Sequence, residues 1–167
     1  MNIQLASALQ TDSIVDGVGL RTVIWTQGCR HNCKGCQNPD THRFDGGFSS
    51  TTEHIISLLP KLKLQKGITF SGGDPFEQAQ ACAEIAHAAK NLGLDVWAYT
   101  GYIFENIVNS HKEDWKSFIS EIDFLVDGPF MLEEKSLTLL FRGSKNQRII
   151  DVQNSLKEKK TILSEYN

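Results

Sequence analysis

Hydrophobic and polar residues alternate along the chain in a pattern that predicts strands separated by helices. A possible short strand lies near Ile3–Ala6. Five further apolar runs predict strands at about Arg21 to Thr26, Gly67 to Ser71, Asp95 to Thr100, Phe124 to Asp127 and Gln147 to Val152. Strands that alternate with helices form βαβ units, so we expect an α/β fold whose sheet is mostly parallel, with about five to six strands.

Helix signals lie between these strands. Ser50 to Glu53 has the S-x-x-E form of a capping box, and Pro60 is expected to kink or end the helix that follows. Asp74 and Pro75 predict the N-cap and first position of a second helix, and a third helical region starts near Tyr102. The buried face of the second helix is predicted at Cys82, Ile85, Ala86, Ala89 and Leu92.

The number of strands limits the architecture. There are too few βα units for a closed eight-stranded barrel of about 250 residues, which leaves a partial (β/α) barrel or an open doubly wound sheet. In both architectures the site lies where the carboxyl ends of the parallel strands meet. The loops at 27–39, 72–75, 100–102 and 127–129 each follow a predicted strand, so we expect them to gather at one end of the sheet.

Composition and charge exclude several classes of partner. A chain of 167 residues is about one domain long, and we expect residues 1–154 to form that domain and 155–167 a polar C-terminal tail. With 17 Lys and Arg against 20 Asp and Glu, the net charge of −3 provides no basic surface for nucleic acid. The start lacks a signal-peptide pattern, and no apolar run approaches the ~20 residues that span a bilayer. We therefore expect a cytoplasmic protein with no nucleic-acid or membrane partner.

Three of the four cysteines lie close together, immediately after the strand at 21–26. Cys29, Cys33 and Cys36 have the spacing C-x3-C-x2-C, which brings thiolates together as an iron–sulfur cluster or a zinc ion requires. Both usually take four ligands. One alternative is a structural zinc ion completed by a distant side chain; the other is a four-iron cluster with one iron left open. Cys82 lies on an apolar helix face and is interpreted as a buried hydrophobic residue.

Six motifs carry a resemblance to a known family, from about residue 12 to residue 150. They are Asp16-Gly17-Val18-Gly19-Leu20-Arg21, Cys29-x-His31-x-Cys33-x-Gly35-Cys36-x-Asn38, Ser71-Gly72-Gly73-Asp74-Pro75, Thr100-Gly101-Tyr102, Val126-Asp127-Gly128 and Arg142-Gly143-Ser144-x-Asn146-Gln147. The cysteine motif resembles that of the radical S-adenosylmethionine (SAM) enzymes. The block at 142–147 resembles the corresponding motif of one branch of that superfamily, the proteins that activate anaerobic ribonucleoside-triphosphate reductase.

The resemblance implies a partial (β/α) barrel that holds a [4Fe–4S] cluster on Cys29, Cys33 and Cys36, with SAM bound to the open iron. It implies reductive cleavage of SAM to a 5′-deoxyadenosyl radical, which installs a glycyl radical on the reductase. The cluster and SAM carry this chemistry, and no separate catalytic side chain is implied. An external one-electron donor such as flavodoxin is implied as a second partner, besides the large subunit of the reductase.

The same resemblance assigns the SAM contacts. Gly72, Gly73 and Asp74 are expected at the methionine end of SAM and the backbone near Gly35 at the adenine. Thr100 and Asp127 are expected to hold the ribose or the carboxylate.

Two positions depart from the family pattern, and two other functions remain open. Val18 stands where related activators usually have proline. Gly35 stands where many superfamily members have an aromatic residue, so no side chain at this position stacks on the adenine. One alternative function is activation of a different glycyl-radical enzyme, such as pyruvate formate-lyase. The other is a zinc-stabilised binding module without catalysis.

Overall fold

The computed structural model describes residues 1–167, which form a single sheet with five α-helices. The strands are β1 Asn2–Leu5, β2 Gln10–Ser13, β3 Arg21–Thr26, β4 Phe48–Thr51, β5 Gly67–Gly72, β6 Asp95–Tyr99, β7 Phe124–Asp127 and β8 Arg148–Asp151. The helices are α1 Thr52–Leu58, α2 Ala79–Asn91, α3 Phe104–Val108, α4 Glu113–Glu121 and α5 Val152–Glu158. Short 3-10 turns occupy Pro39–Thr41, Leu59–Lys61, Pro75–Gln78 and Leu132–Glu134.

The centre of the sheet is parallel, as the alternation of strands and helices predicted. The strand order is β4-β1-β3-β5-β6-β7-β8, and β3, β5, β6 and β7 run parallel to one another. Antiparallel strands flank this centre, with β1 and β2 on β3, β4 on β1, and β8 on β7. The ends of this order, β4 and β8, do not pair, so the sheet is open.

The sheet has eight strands, so the predicted number of five to six was too low. The two additional strands are β2 and β4, which are four residues long, largely polar and mostly exposed. They lack the alternation of apolar and polar residues that marks a half-buried strand. Their positions are set by pairing with β3 and β1, which sequence periodicity does not report.

All the large helices pack against one face of the sheet, which distinguishes the fold from a doubly wound sheet. Side chains on this face belong to one core of 25 buried residues, to which β6 contributes Val96 and Ala98, and α4 contributes Phe118. The α2 helix buries Cys82, Ile85, Ala86 and Ala89. The second face has only a small core around Trp97, Val126 and Ile149. Helices on one face of an open parallel sheet are the arrangement of a partial (β/α) barrel.

Several predicted helix boundaries shift by one to three residues. The N-cap of α1 is Thr51 rather than Ser50, because the Thr51 hydroxyl accepts the hydrogen bond from the His54 N–H at 3.1 Å. A turn containing Pro60 follows this helix, as predicted. Asp74 does act as an N-cap, but of the 3-10 turn that precedes α2.

Leu92 was predicted on the buried face of α2 but is 49% exposed, because it lies at the C-cap beyond the last buried turn. The third helical region begins at Phe104 rather than near Tyr102. Helix ends depend on which groups are available to cap them. Here the cap is the carboxylate of Asp127 at the end of β7, which accepts from the Phe104 N–H.

The chain after β8 returns to the sheet. The α5 helix crosses the expected division at residue 154, and the side chain of Asn167 accepts a hydrogen bond from the Ile149 N–H at 2.9 Å. Tyr166 packs against the ring of Trp97, with 6.0 Å between the ring centroids. The division into residues 1–154 and a tail stays a prediction. No helix has the length and apolar character needed to cross a membrane.

A buried arginine joins the amino ends of three central strands. Arg21 is fully buried and its guanidinium donates to the Thr69 hydroxyl at 2.7 Å and to the Ile68 carbonyl at 2.7 Å. It also forms an ion pair with Asp95, the first residue of β6. Burial lowers the pKa of Arg21, and the charge of Asp95 opposes this effect. The ion pair therefore offsets part of the cost of desolvating the Arg21 charge at the amino ends of these strands.

We predict that Arg21→Met lowers the free energy of unfolding by about 3 kcal/mol or more, because Asp95 and the buried acceptors lose their partner. Urea unfolding followed by circular dichroism measures this change. Arg43→Met is the matched control: Arg43 pairs with Asp45, but these side chains are 77% and 76% exposed. That control should change stability by less than about 0.5 kcal/mol. Equal effects of the two substitutions would contradict the role of Arg21.

Candidate functional site

A cavity of about 490 Å³ opens at the carboxyl ends of the parallel strands. The four strand-end loops meet there, as predicted, and contribute Cys29, Cys33, Cys36, Gly72, Gly73, Asp74, Thr100, Gly101 and Gly128 to its wall. The register explains this meeting, since Thr26 at the end of β3 lies opposite Gly72 at the end of β5. The loop that follows β3 therefore begins beside the loop that follows β5.

The three clustered cysteines all reach this cavity as free, half-buried thiols. Their loop is held by backbone bonds, in which the Cys29 N–H donates to the His42 carbonyl at 3.1 Å and the Cys36 N–H donates to the Cys33 carbonyl at 3.1 Å. The Asn38 N–H also donates to the Cys36 sulfur at 3.4 Å. Backbone donors to sulfur are among the groups that tune a metal-bound thiolate.

The donor set fits a multi-iron cluster better than a single zinc ion. No group of three or more His, Cys, Asp or Glu side chains is placed as the ligands of one metal ion. In a four-iron cluster each cysteine binds a different iron, whereas all ligands of a zinc ion lie about 2.0–2.3 Å from one centre. Burial, with smaller effects of Asp74 and Cys33, raises the pKa of Cys29 to about 11. Binding to iron would therefore have to supply the free energy needed to ionise the Cys29 thiol.

The loops after β3 and β5 are in direct backbone contact. The Gly73 N–H donates to the Thr26 carbonyl at 2.7 Å, and the Asp74 N–H donates to the Gly28 carbonyl at 2.9 Å. A Cβ atom at Gly73 would collide with the backbone of Gly28, so only glycine permits this approach. The pair of glycines thus fixes where the cysteine loop starts.

Asp74 connects three of the four loops through its carboxylate. The side chain is 1% exposed, and it accepts hydrogen bonds from His31 Nε2 at 2.7 Å, from the Thr100 hydroxyl at 2.9 Å and from the Gly101 N–H at 3.0 Å. The same carboxylate caps the following turn by accepting from the Phe76 N–H at 3.0 Å. The hydrogen bond with Asp74 raises the pKa of His31, against the opposing effect of burial.

The geometry gives His31 a part in holding the cysteine loop. Its imidazole lies edge-on to the ring of Tyr102, with 4.4 Å between ring centroids. His31 stands between Cys29 and Cys33 in the chain, so the bond to Asp74 holds the cysteine loop against the end of β5.

The remaining predicted SAM contacts divide into two groups. Gly72, Gly73 and Thr100 line the cavity, whereas Asp127 and Gly35 do not. Asp127 is fully buried; its carboxylate accepts from Arg148 Nε at 2.9 Å and caps α3 by accepting from the Phe104 N–H at 2.8 Å. Both carboxylate oxygens of Asp127 thus accept hydrogen bonds within the protein. Its expected role in holding the ribose or the carboxylate stays a prediction.

Gly35 is exposed on the cysteine loop and is covered on one side by Leu132. A Cβ atom at Gly35 would meet the Leu132 side chain at 2.8 Å. The apolar group next to this position thus comes from the segment between β7 and β8. The expected proximity of the Gly35 backbone to the adenine stays a prediction.

Other cavity residues were not predicted from the sequence. Tyr99 and Asp16 line the wall, together with Arg142 and Gln147 from the block at 142–147. Val96 and Ala98 face the helices, so period-two alternation places Trp97 and Tyr99 on the other face. That alternation was the signal available in the sequence. Cys82 is fully buried in the main core and away from the cavity, as predicted.

Comparison with known proteins places the chain among iron–sulfur proteins. Residues 15–150 match the model of a family described as a 4Fe-4S single cluster domain. This range includes all three cavity cysteines and reaches the end of the sheet.

Curated proteins with similar sequences share one description. The anaerobic ribonucleoside-triphosphate reductase-activating protein of Vibrio cholerae is 33% identical over 144 residues, which cover 81% of this chain and 90% of that protein. The protein of the same description from Escherichia coli strain K12 is 34% identical over 143 residues, covering 80% and 90% of the two chains. The phage T4 protein of this description is 34% identical over 145 residues, covering 81% and 86%.

We predict that Asp74→Asn and Asp127→Asn each lower the free energy of unfolding by about 1–3 kcal/mol, since each removes a buried charged acceptor. Only Asp74→Asn should also reduce the iron bound after anaerobic reconstitution, because only Asp74 holds the cysteine loop through His31. Iron analysis and urea unfolding of both variants separate the two roles. Unchanged iron binding by Asp74→Asn would show that this bond does not organise the loop.

Proposed function

The chain belongs to the family of anaerobic ribonucleoside-triphosphate reductase-activating proteins, and from this premise we propose how its cavity serves their activity. The protein is a radical SAM activase that installs a glycyl radical on anaerobic ribonucleoside-triphosphate reductase. Its cofactors are a [4Fe–4S] cluster and SAM. The observation that carries the assignment to this cavity is the meeting of three free thiols with the glycine loop after β5.

In this proposal, Cys29, Cys33 and Cys36 hold the cluster and leave one iron for SAM. When bound, the cluster would supply the electron for the reductive cleavage of SAM. Gly72 and Gly73 line the wall next to the thiols, where the absence of side chains lets the methionine end of SAM approach the backbone. Thr100 lies on the same wall and is the second contact that we assign to SAM.

Asp74 acts in this proposal mainly through other groups. Its carboxylate accepts hydrogen bonds from His31, Thr100 and neighbouring N–H groups. The residue therefore positions the cysteine loop relative to the end of β6. Precise placement of reacting groups depends on such support from residues behind the site.

The electrons must reach the cluster from outside the chain, since the four cysteines provide no second cluster. We propose an external one-electron donor such as flavodoxin, and the large subunit of the reductase as the substrate. A cytoplasmic location follows as part of the proposal, because free thiols that bind a cluster require a reducing compartment.

We predict that Cys33→Ala loses the cluster and the cleavage of SAM under a strong reductant, while the fold is retained because this loop lies outside the core. Iron content, product analysis and circular dichroism test this. The control Cys82→Ala removes a buried sulfur from the core and should lower the free energy of unfolding by about 1–2 kcal/mol with iron content unchanged. SAM cleavage by Cys33→Ala, or one zinc and no iron in the wild-type protein, would refute the assignment.

The choice of partner is tested separately. After anaerobic mixing with SAM, a reductant and the candidate enzyme, electron paramagnetic resonance should show a glycyl radical on the reductase. Pyruvate formate-lyase serves as the comparison substrate. A glycyl signal on the lyase with none on the reductase would assign the protein to the alternative function.

A further inference from the structure

Four of the five most exposed large apolar side chains of this protein lie on two segments that contribute to the cavity wall. The segments are the loop between β2 and β3 and the segment 129–147 between β7 and β8. Ile14 and Val15 on the first are 73% and 68% exposed, and Leu137 and Leu140 on the second are 90% and 69% exposed. We define these four residues as the rim.

The rim is continuous with the site. Val15 lines the cavity itself, as do Leu139 and Phe141, which are chain neighbours of Leu140. The two segments therefore stand on either side of the same opening. A ligand that enters the cavity between them passes over the rim.

The segment that carries Leu137 and Leu140 has a defined structure. The Gln147 side chain accepts from the Gly143 N–H at 2.9 Å and donates to the Gly128 carbonyl at 3.0 Å, and the buried Ser144 hydroxyl accepts from the Met131 N–H at 3.2 Å. A bridge between Lys135 and Ser144 closes the base of the segment. These bonds fix the segment's ends, so the leucines are presented to solvent by an ordered support.

All 167 residues of the chain are described, and none of them covers these leucines. Exposed apolar side chains grouped at one place mark a surface for another protein. The four rim side chains are apolar, and they fit a partner surface that is apolar as well. A small substrate such as SAM does not require such a surface outside the cavity.

We propose that the rim binds the segment of the reductase that carries the target glycine, through apolar side chains that flank this glycine. The inference rests on the proposed function, because that function requires a macromolecular backbone to enter the cavity. The flanking side chains lie on Ile14 and Val15 on one side and on Leu137 and Leu140 on the other. The glycine, which has no side chain, is then free to reach between the two segments towards the thiols.

The double variant Leu137→Ser with Leu140→Ser tests the proposal. Both leucines are outside the cavity wall, so iron content and SAM cleavage by a chemical reductant without the reductase should equal those of the wild type. Formation of the glycyl radical should require about tenfold or more reductase, since burial of two leucines is lost. The signal should recover at high reductase concentration. Ile14→Ser, in the other segment, should weaken the same step without the loop change that a double variant risks.

The matched control is Leu64→Ser with Leu92→Ser. These leucines are 81% and 49% exposed but do not line the cavity, and Leu92 lies at the opposite end of the sheet from it. The control should depend on reductase concentration as the wild type does.

Three outcomes overturn the proposal. The first is equal dependence on reductase concentration for the rim variants and the control. The second is a loss of self-association by the rim variants in sedimentation of the activase alone, which would make the rim an interface between copies. The third is a rim defect that remains at saturating reductase. Failure of the wild-type protein to cleave SAM is a separate result, which would refute the proposed function itself.

Discussion

The buried carboxylate of Asp74 is the constraint on which the upper end of the structure depends. Parallel strands bring their carboxyl ends close together, but they leave the following loops free to diverge. One carboxylate that accepts from His31, Thr100, Gly101 and Phe76 makes three of those loops a single unit. A charged group at 1% exposure is stable only if its hydrogen bonds are made. The cost of leaving them unmade therefore resists any loop arrangement that separates the cysteines from the glycine pair.

The central fold could be predicted from the sequence because each of its strands and long helices has a recognisable local pattern of apolar residues. The strands at 21–26, 67–72 and 124–127 are short apolar runs, and α2 and α4 have clear helical periodicity. The flanking strands β2 and β4 were not accessible, since polar residues become strands there only by pairing with neighbours. The start of α3 was misplaced for a related reason. Its first N–H is capped by Asp127, which is 23 residues away in the chain.

The site was predicted where it depends on residue type and spacing, and missed where it depends on tertiary contacts. Cys29, Cys33 and Cys36 reach the cavity because of their spacing, and Gly72 and Gly73 because they end a strand. Asp127 has the residue type and strand-end position of a ligand-binding group. Its register partner is Arg148, however, and the two form an ion pair that occupies the carboxylate. Nothing local to Asp127 reveals that the residue opposite on β8 is an arginine.

Arg21 and its partners lie at one end of the strands and the cavity lies at the other, which has a consequence for evolution and engineering. Arg21, Thr69 and Asp95 stabilise the amino ends of the strands, whereas the thiols and the glycine pair occupy the carboxyl ends. The base of the sheet and the thiol site thus consist of separate residue sets, although Asp74 in the second set contributes to stability as well. Substitutions that improve one set can accumulate with little epistasis on the other, as additivity between distant sites implies. A lineage adapting to a new temperature can therefore change the base of the sheet and keep its radical chemistry.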